Sequence, residues 1–219
     1  RLSKMTDWTA TDALVFDMDG TLWDAVDSYC RIWNVAFRRY GYDVTVSREC
    51  LIGCMGMQLE AIFDRITGGM PGLDVPEFLA FVEAEEARLM PILGGCPYPG
   101  VCEGIRRLSA DYKIFLLSNC GETGLDNMMR YAGITDYVCE AVTYGATRRP
   151  KSENLLMLKE KYGLRQPVYV GDTQGDCDQT HRAGMPFVFA SYGFGSCGDS
   201  DMSVSSFEEL VEYFVKQKK

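Results

Sequence analysis

Two aspartates stand directly after a run of apolar residues near the start of the chain. Residues 13–22 read ALVFDMDGTL, so Asp17 and Asp19 follow four consecutive apolar residues. Such a run predicts a strand covered on both faces, and Asp and Gly disfavour its continuation. Side chains two residues apart share one face of a strand. We therefore expect both carboxylates to approach one metal ion or one substrate, although a simple Asp-Gly turn would give the same letters.

The chemistry open to these residue types is phosphoryl transfer. A carboxylate such as Asp17 is a competent nucleophile toward phosphorus and would form an aspartyl-phosphate. Because its charge repels a phosphate dianion, a hard cation is needed, and carboxylates are suitable Mg²⁺ ligands. With a raised pKa, Asp19 would protonate the leaving alkoxide and later activate a water molecule.

Polar side chains also follow three further predicted strands. Ser118 and Asn119 follow the second strand, the basic run 148–151 follows the third, and Asp172 and Asp176 follow the fourth. Ligands of open parallel sheets bind outside the carboxyl ends of the strands. We therefore expect all of these groups at one edge of a sheet, as the parts of a single site.

The pattern of the whole chain indicates the fold class that positions them. Apolar runs alternate with helical patterns, which predicts an α/β fold with a Rossmann-like, doubly wound parallel sheet. The predicted strands are residues 13–18, 113–117, 137–142, 168–170 and 187–190. We expect residues 1–22 and 95–219 to form this core and residues 23–94 to form an inserted all-helical domain.

The insert shows helical periodicity over almost its whole length. Tyr29, Trp33 and Phe37 recur at four-residue steps, which predicts an amphipathic helix over residues 24–40 with these side chains mostly in its core. Further helices are predicted over residues 48–52, 57–66 and 76–90, the last with its glutamates, Glu86 among them, on a solvated face. The links near residues 22–23 and 94–99 would allow the insert to close over a substrate.

Composition restricts the possible partners. The 219 residues carry a formal net charge of −9, which argues against nucleic acid or an anionic membrane as the main partner. The nine cysteines include no Cys-x-x-Cys pair and His181 is the only histidine, so structural zinc is not expected. Reduced thiols and the lack of a signal-peptide or membrane-helix pattern predict a cytoplasmic protein. The oligomeric state cannot be read from the sequence.

Three motifs resemble those of the haloacid dehalogenase superfamily, in the branch of phosphoglycolate phosphatase and β-phosphoglucomutase. Residues 16–22 (FDMDGTL) are similar to the first motif, residues 117–119 (LSN) to the second and residues 170–176 (VGDTQGD) to the acidic fourth. The helical insert after the first motif resembles the cap of that branch. The resemblance covers essentially the whole chain and implies a Mg²⁺-dependent phosphatase acting on a small phosphorylated metabolite.

The resemblance also implies a role for each matching residue. Asp17 would be the nucleophile and a metal ligand. Asp19 would be the acid/base and bind the metal through its backbone carbonyl, and Asp172 would be a further ligand. Asp176 would bind the metal through water or support the other ligands, and Thr21 would couple the cap to the core.

The groups that would hold the phosphate are less sharply implied. Ser118 and Asn119 match the second motif and would bind the phosphate or shape its pocket. The third motif departs from the Lys-Pro that many relatives carry, because the chain reads Arg149-Pro150-Lys151. We favour Lys151 as the cation at the phosphate, since it directly precedes a predicted helix, and Arg149 is the alternative.

Other functions fit parts of the same pattern. A sugar phosphomutase would use every core residue named here. A phospho-acceptor signalling domain has a similar sheet and acidic pocket but needs neither the helical insert nor Ser118-Asn119. A dehalogenase or a phosphonate hydrolase is disfavoured, since those relatives lack an acid at the position of Asp19. A catalytically silent binding protein is disfavoured by the intact motifs.

Overall fold

The structure, a computed structural model, describes residues 6–218. Its strands are β1 (Ala13–Phe16), β2 (Trp23–Asp24), β3 (Cys96–Pro97), β4 (Lys113–Ser118), β5 (Glu140–Thr143), β6 (Pro167–Gly171), β7 (Phe187–Ala190) and β8 (Met202–Val204). Within the described range, six of them form one parallel sheet in the order β5-β4-β1-β6-β7-β8. This confirms the predicted α/β class. The part of the predicted core at residues 1–5 lies outside the described residues, as does Lys219.

Ten α-helices lie within the described residues, and those that follow the insert cover the two faces of the sheet. They are α1 (Val26–Arg39), α2 (Arg48–Ile52), α3 (Leu59–Thr67), α4 (Val75–Leu93), α5 (Val101–Leu108), α6 (Gly124–Ala132), α7 (Tyr144–Thr147), α8 (Lys151–Tyr162), α9 (Gln174–Arg182) and α10 (Phe207–Lys216). In β1, Leu14 and Phe16 belong to one hydrophobic cluster while Ala13 and Val15 belong to the other. The alternation follows from the two-residue period of a strand, and it explains why β1 reads as an unbroken apolar run.

Helices α1 to α4 lie in sequence between β1 and the rest of the sheet, as the helical periodicity predicts. Their aromatic side chains pack together, with the Phe37 and Phe78 rings 4.9 Å apart. The two links to the core pair as an antiparallel ribbon, in which Trp23 faces Pro97 and Asp24 faces Cys96. The sequence did not reveal this ribbon because two-residue strands carry no periodicity. That residues 23–94 move as a separate unit stays a prediction.

The main sheet contains one strand more than the five that the sequence predicts. Strand β8 adds a sixth, and its residue Ser203 is exposed while Val204 is buried. Three residues at the sheet edge are too few to produce a visible alternation. Among the described helices, none is both long and apolar enough to cross a bilayer.

Candidate active site

The carboxyl edge of the sheet brings Asp17 together with a lysine and two further acids. Lys151 Nζ lies 3.0 Å from Asp17 Oδ1 and 2.6 Å from Asp176 Oδ1, and all three side chains are about 3% exposed. Lys151 is the first residue of α8 and is buried, whereas Arg149, two residues earlier, is exposed to solvent. The structure thus places the lysine, and not the neighbouring arginine, against the expected nucleophile.

Asp172 and Asp176 follow β6 but stand in different surroundings. Both Asp176 oxygens have protein partners, because Oδ1 binds Lys151 and Oδ2 accepts from the Thr173 hydroxyl at 2.8 Å in the capping box of α9. Asp172 Oδ2 accepts from the Phe194 amide at 2.8 Å, whereas its buried Oδ1 has no partner among the described residues. Asp172 is therefore the acid whose oxygen is available for a cation.

Gly20 allows the two strand ends to approach this closely. Its φ of 79° lies in the left-handed region that favours glycine. A Cβ at this position would lie only 2.1 Å from Asp172 Oδ2. The glycine after Asp19 is therefore required by contact with the acid of the neighbouring strand and by the turn itself.

Burial dominates the electrostatics of this cluster. Desolvation raises the pKa of Asp17 to about 6, although Lys151 opposes the shift. Desolvation together with the charges of Asp17 and Asp176 raises the pKa of Asp172 to about 8. For Lys151, burial lowers the pKa, but the charges of Asp17 and Asp176 outweigh it and hold the pKa well above its usual value. The acids outnumber this one ammonium, so the cluster favours a bound cation.

Asp19 lies beside Asp17 and is held by two side chains of the insert. Trp23 Nε1 donates to Asp19 Oδ1 at 3.0 Å, and the Tyr29 hydroxyl donates to Oδ2 at 3.3 Å. Burial, followed by the charge of Asp17, raises the pKa of Asp19 to about 8. The carboxyl group therefore holds its proton at neutral pH. The sequence did not reveal Tyr29 because an apolar helical face has the same pattern whether its aromatic side chains fill a core or contact an acid, and it did not reveal Trp23 because the two-residue strand β2 carries no periodicity.

The remaining predicted site residues lie close to the same edge. Ser118 is buried, and its Oγ accepts from the Cys120 amide at 3.3 Å. Asn119 reaches across to the insert, since its Nδ2 donates to the Gly56 carbonyl at 2.9 Å. Thr21 is fully buried with no partner for its hydroxyl among the described residues, and its carbonyl accepts from the Tyr192 hydroxyl.

A cavity of about 50 Å³ opens above these groups. Asp17, Asp19, Ser118 and Asn119 form its floor, while the insert supplies the wall: Tyr29, Trp33, Leu51, Met55, Gly56, Met57, Leu59, Ile62 and Glu86. Burial and the charge of Glu83 raise the pKa of Glu86 to about 8. Glu86 is half-buried and lines the cavity, so the expectation of a wholly solvated acidic face on α4 was wrong for this residue.

These features define a doubly wound α/β protein with its candidate site at the topological switch point. The chain runs from β1 outward to β4 and β5 and then returns to β6 on the other side of β1. The acids after β1 and β6 meet where the strand order reverses, which is where such sheets bind their ligands.

The chain belongs to the haloacid dehalogenase-like hydrolase family, whose model matches residues 14–190. It is 27% identical over 203 residues to a phosphoglycolate phosphatase of Rhodobacter capsulatus, covering 83% of this chain and 85% of the relative. A phosphoglycolate phosphatase of Psychrobacter arcticus is 24% identical over 219 residues, covering 93% and 95%. The superfamily resemblance of the motifs is thereby confirmed.

Solved structures show the same fold. A haloacid dehalogenase-like hydrolase from Streptococcus pneumoniae superposes with a TM-score of 0.83 at 18% identity, covering 94% of this chain and 99% of the other. A structure described as a predicted phosphoglycolate phosphatase from Haemophilus somnus gives 0.83 at 19% identity, covering 93% and 98%. At these identities the likeness supports the architecture alone.

Proposed function

We propose that the protein is a Mg²⁺-dependent phosphatase that hydrolyses a small phosphate monoester through an aspartyl-phosphate on Asp17. The observation that carries the proposal is the buried contact of Asp17 with Lys151 beside the unpartnered oxygen of Asp172. The family of the chain and the names of its relatives agree with this activity.

The residues present fit a divalent cation. Ligand oxygens of Asp17, Asp172 and Asp176 lie within 4.8 Å of one another, and a hard cation prefers such carboxylates. Asp17 and Asp172 would bind the ion directly, with Asp176 holding Lys151 in place. A bound Mg²⁺ would offset the repulsion between the carboxylates and a phosphate dianion.

The chain's own residues account for the proton transfers. An Asp17 oxygen attacks phosphorus as the bond from phosphorus to the leaving oxygen breaks, and Asp19 gives its proton to that oxygen. In the second step Asp19, now ionised, takes a proton from water, and the water oxygen displaces Asp17 from phosphorus. Trp23 and Tyr29 keep the Asp19 carboxyl group oriented through both steps.

The wall of the cavity bears on the choice of ester. Its lining within residues 6–218 includes Glu86 and no Lys, Arg or His. Arg48 instead pairs with Asp24 and Asp27. A carboxylate on the leaving group would therefore find no ion-pair partner in this wall, and above about pH 8 it would also meet the ionised Glu86. We propose that the preferred leaving group is a small, largely apolar alcohol without a carboxylate, which departs from the phosphoglycolate of the relatives' names.

A phosphate-release screen tests the activity and the ester preference together. Purified protein is given small phosphate esters that differ in leaving-group charge, phosphoglycolate included, with Mg²⁺ or with EDTA. We expect phosphate release with Mg²⁺ only, none from Asp17→Asn, and higher kcat/KM for uncharged leaving groups.

Three results would contradict the proposal. Isomerisation of a sugar phosphate without phosphate release would establish a mutase. A phosphoryl-Asp17 that persists for many minutes without turnover would indicate a signalling domain. Fastest turnover of phosphoglycolate would leave the phosphatase activity standing and overturn only the ester preference.

A further inference from the structure

A second group of ligand side chains lies outside the candidate active site. Cys177 is on α9, and Cys197 and Asp199 are on the loop between β7 and β8. Their ligand atoms lie within 4.8 Å of one another, and all nine cysteines are free thiols. His181, one helical turn after Cys177, brings its Nδ1 to 3.6 Å from the Cys177 sulfur.

The distances from Asp199 to the two cysteine sulfurs match the edges of a tetrahedral metal site. With metal–sulfur bonds of about 2.3 Å and metal–nitrogen or –oxygen bonds of about 2.0–2.1 Å, those edges are about 3.8 Å between sulfurs and about 3.6 Å from sulfur to nitrogen or oxygen. Cys177 Sγ lies 3.6 Å from Asp199 Oδ1, and Cys197 Sγ lies 3.9 Å from the same oxygen.

Neighbouring groups orient the candidate ligands from outside. His181 Nε2 lies 2.8 Å from Asp201 Oδ2, and its Nδ1 and Nε2 lie 3.6 and 4.0 Å from the Cys177 sulfur, so the ring lies beside the three ligands with both nitrogens at similar distances from that sulfur. Asp201 is itself held by the Phe187 amide at 2.8 Å, and Gln174 Nε2 donates to Asp199 at 2.7 Å.

We propose that Cys177, Cys197 and Asp199 bind a Zn²⁺ ion as three protein ligands, with the fourth position left to water. Two thiolates select a soft or borderline metal over Mg²⁺, so this site and the all-carboxylate active site would take different ions. Cys177 is buried, whereas Asp199 is exposed, so the ion has a path in from solvent. No local motif announces the site, because its ligands come from a helix and a separate loop.

The loop that supplies Cys197 and Asp199 also reaches the candidate active site. The Phe194 amide donates to Asp172, and a Cβ at Gly195 would lie 2.5 Å from the Asp172 carbonyl oxygen. A metal bound by Cys197 and Asp199 would tie this loop to α9 a few residues after Phe194 and Gly195. The zinc site therefore braces the segment that positions Asp172, and it does so whatever ester the active site accepts.

Metal binding by the reduced full-length chain tests the proposal. The chelator-treated protein is kept in excess Mg²⁺, which occupies the carboxylate site, and titrated with Zn²⁺ against a competing indicator and with Co²⁺ by absorption. We expect one Zn²⁺ per chain and a thiolate-to-cobalt charge-transfer band. Cys197→Ser, which removes one of the two thiolates, should weaken Zn²⁺ binding by more than the roughly 10–100-fold that loss of a supporting group costs and should reduce the band. Cys139→Ser, which removes an exposed thiol elsewhere, is the matched control and should bind as the unaltered chain does.

Several outcomes would overturn the zinc site. Equal Zn²⁺ affinity in the unaltered chain and in folded Cys197→Ser would do so. Asp199→Asn, at an exposed position, repeats the comparison if Cys197→Ser fails to fold. A Cys177–Cys197 disulfide in freshly isolated protein, detected by intact mass before and after reduction, would replace the metal with a covalent bridge.

Discussion

The floor and the wall of the cavity are built on different principles. Together with Asp172 and Lys151, which surround its Asp17, the floor consists of side chains at the ends of β1, β4 and β6 and at the start of α8. Lys151 contacts two acids within 3.0 Å. The wall consists of apolar side chains from the helical insert with a single acid, Glu86. Strand ends fix positions precisely because each strand is hydrogen-bonded to its neighbours, whereas helix faces set only shape and polarity. The floor is therefore suited to the reaction and the wall to the choice of substrate.

Substitution of Asp19 should have the largest effect in this comparison. Asp19→Asn removes the proton donor and acceptor, so we expect kcat to fall by about 10²–10⁴-fold for every ester. With p-nitrophenyl phosphate, whose leaving group needs no proton, a burst of nitrophenol should precede slow phosphate release. The measurement is rapid-mixing kinetics, and kcat within tenfold of the unaltered chain would remove Asp19 from the floor's chemistry.

The next largest effect should distinguish the two candidate phosphate-binding cations, Lys151 and Arg149. Lys151→Ala takes a charge from between Asp17 and Asp176, so we expect kcat to fall by about 10²–10³-fold and stability by about 3–5 kcal/mol. Arg149→Ala, at an exposed position two residues away, is the matched control and should change neither. Turnover and thermal unfolding are measured in saturating Mg²⁺. Near-normal turnover of Lys151→Ala with loss in Arg149→Ala would reverse the assignment.

The pH dependence of stability reports on the floor without any substrate. In the metal-free protein, burial raises the pKa of Asp17 to about 6 and the pKa values of Asp19, Asp172 and, in the wall, Glu86 to about 8. The folded chain then binds more protons than the unfolded chain, so its stability is largest at low pH and decreases as the pH rises from about 4 to about 8. We expect a loss on the order of a few kcal/mol.

Mg²⁺ should flatten this pH profile, because a cation favours the ionised carboxylates. Denaturant unfolding at several pH values, with EDTA or with Mg²⁺, measures both curves. A metal-free profile that rises from pH 5 to pH 8 would mean that the carboxylates of the floor are not desolvated as the fold places them.

The smallest effect should come from the wall. Above about pH 8 Glu86 is ionised, and Glu86→Gln then removes the like charge that faces a carboxylated leaving group, so we expect kcat/KM for such esters, measured at about pH 9, to rise about tenfold relative to uncharged ones. The floor is untouched, so kcat for uncharged esters should stay the same. Glu85→Gln is the matched control, since Glu85 pairs with Arg88 instead of lining the cavity. An equal change in both variants would mean that Glu86 takes no part in selection.

Much of the floor could be predicted because its signals are local. An apolar run ending in Asp17 and Asp19, and another ending before Asp172, predict strand ends, and parallel strands align their ends at one edge. The choice between Lys151 and Arg149 was open, since both lie within three residues of sequence. Only the tertiary structure decided it geometrically, by burying one side chain against Asp17 and leaving the other exposed.

The sequence by itself determined the α/β class, the helical insert and the acids at the sheet edge. These features could be predicted because the periodicity of a strand or helix, and the residues that end it, involve only neighbouring positions in the sequence. Only the tertiary structure decided which insert side chains meet those acids, so Trp23 and Tyr29 on Asp19 could not be foreseen. The contact of Cys177 with Asp199 was hidden for the same reason. Such contacts join segments that are distant in sequence, so no local sequence pattern predicts them, and only the packing of the folded chain brings them together.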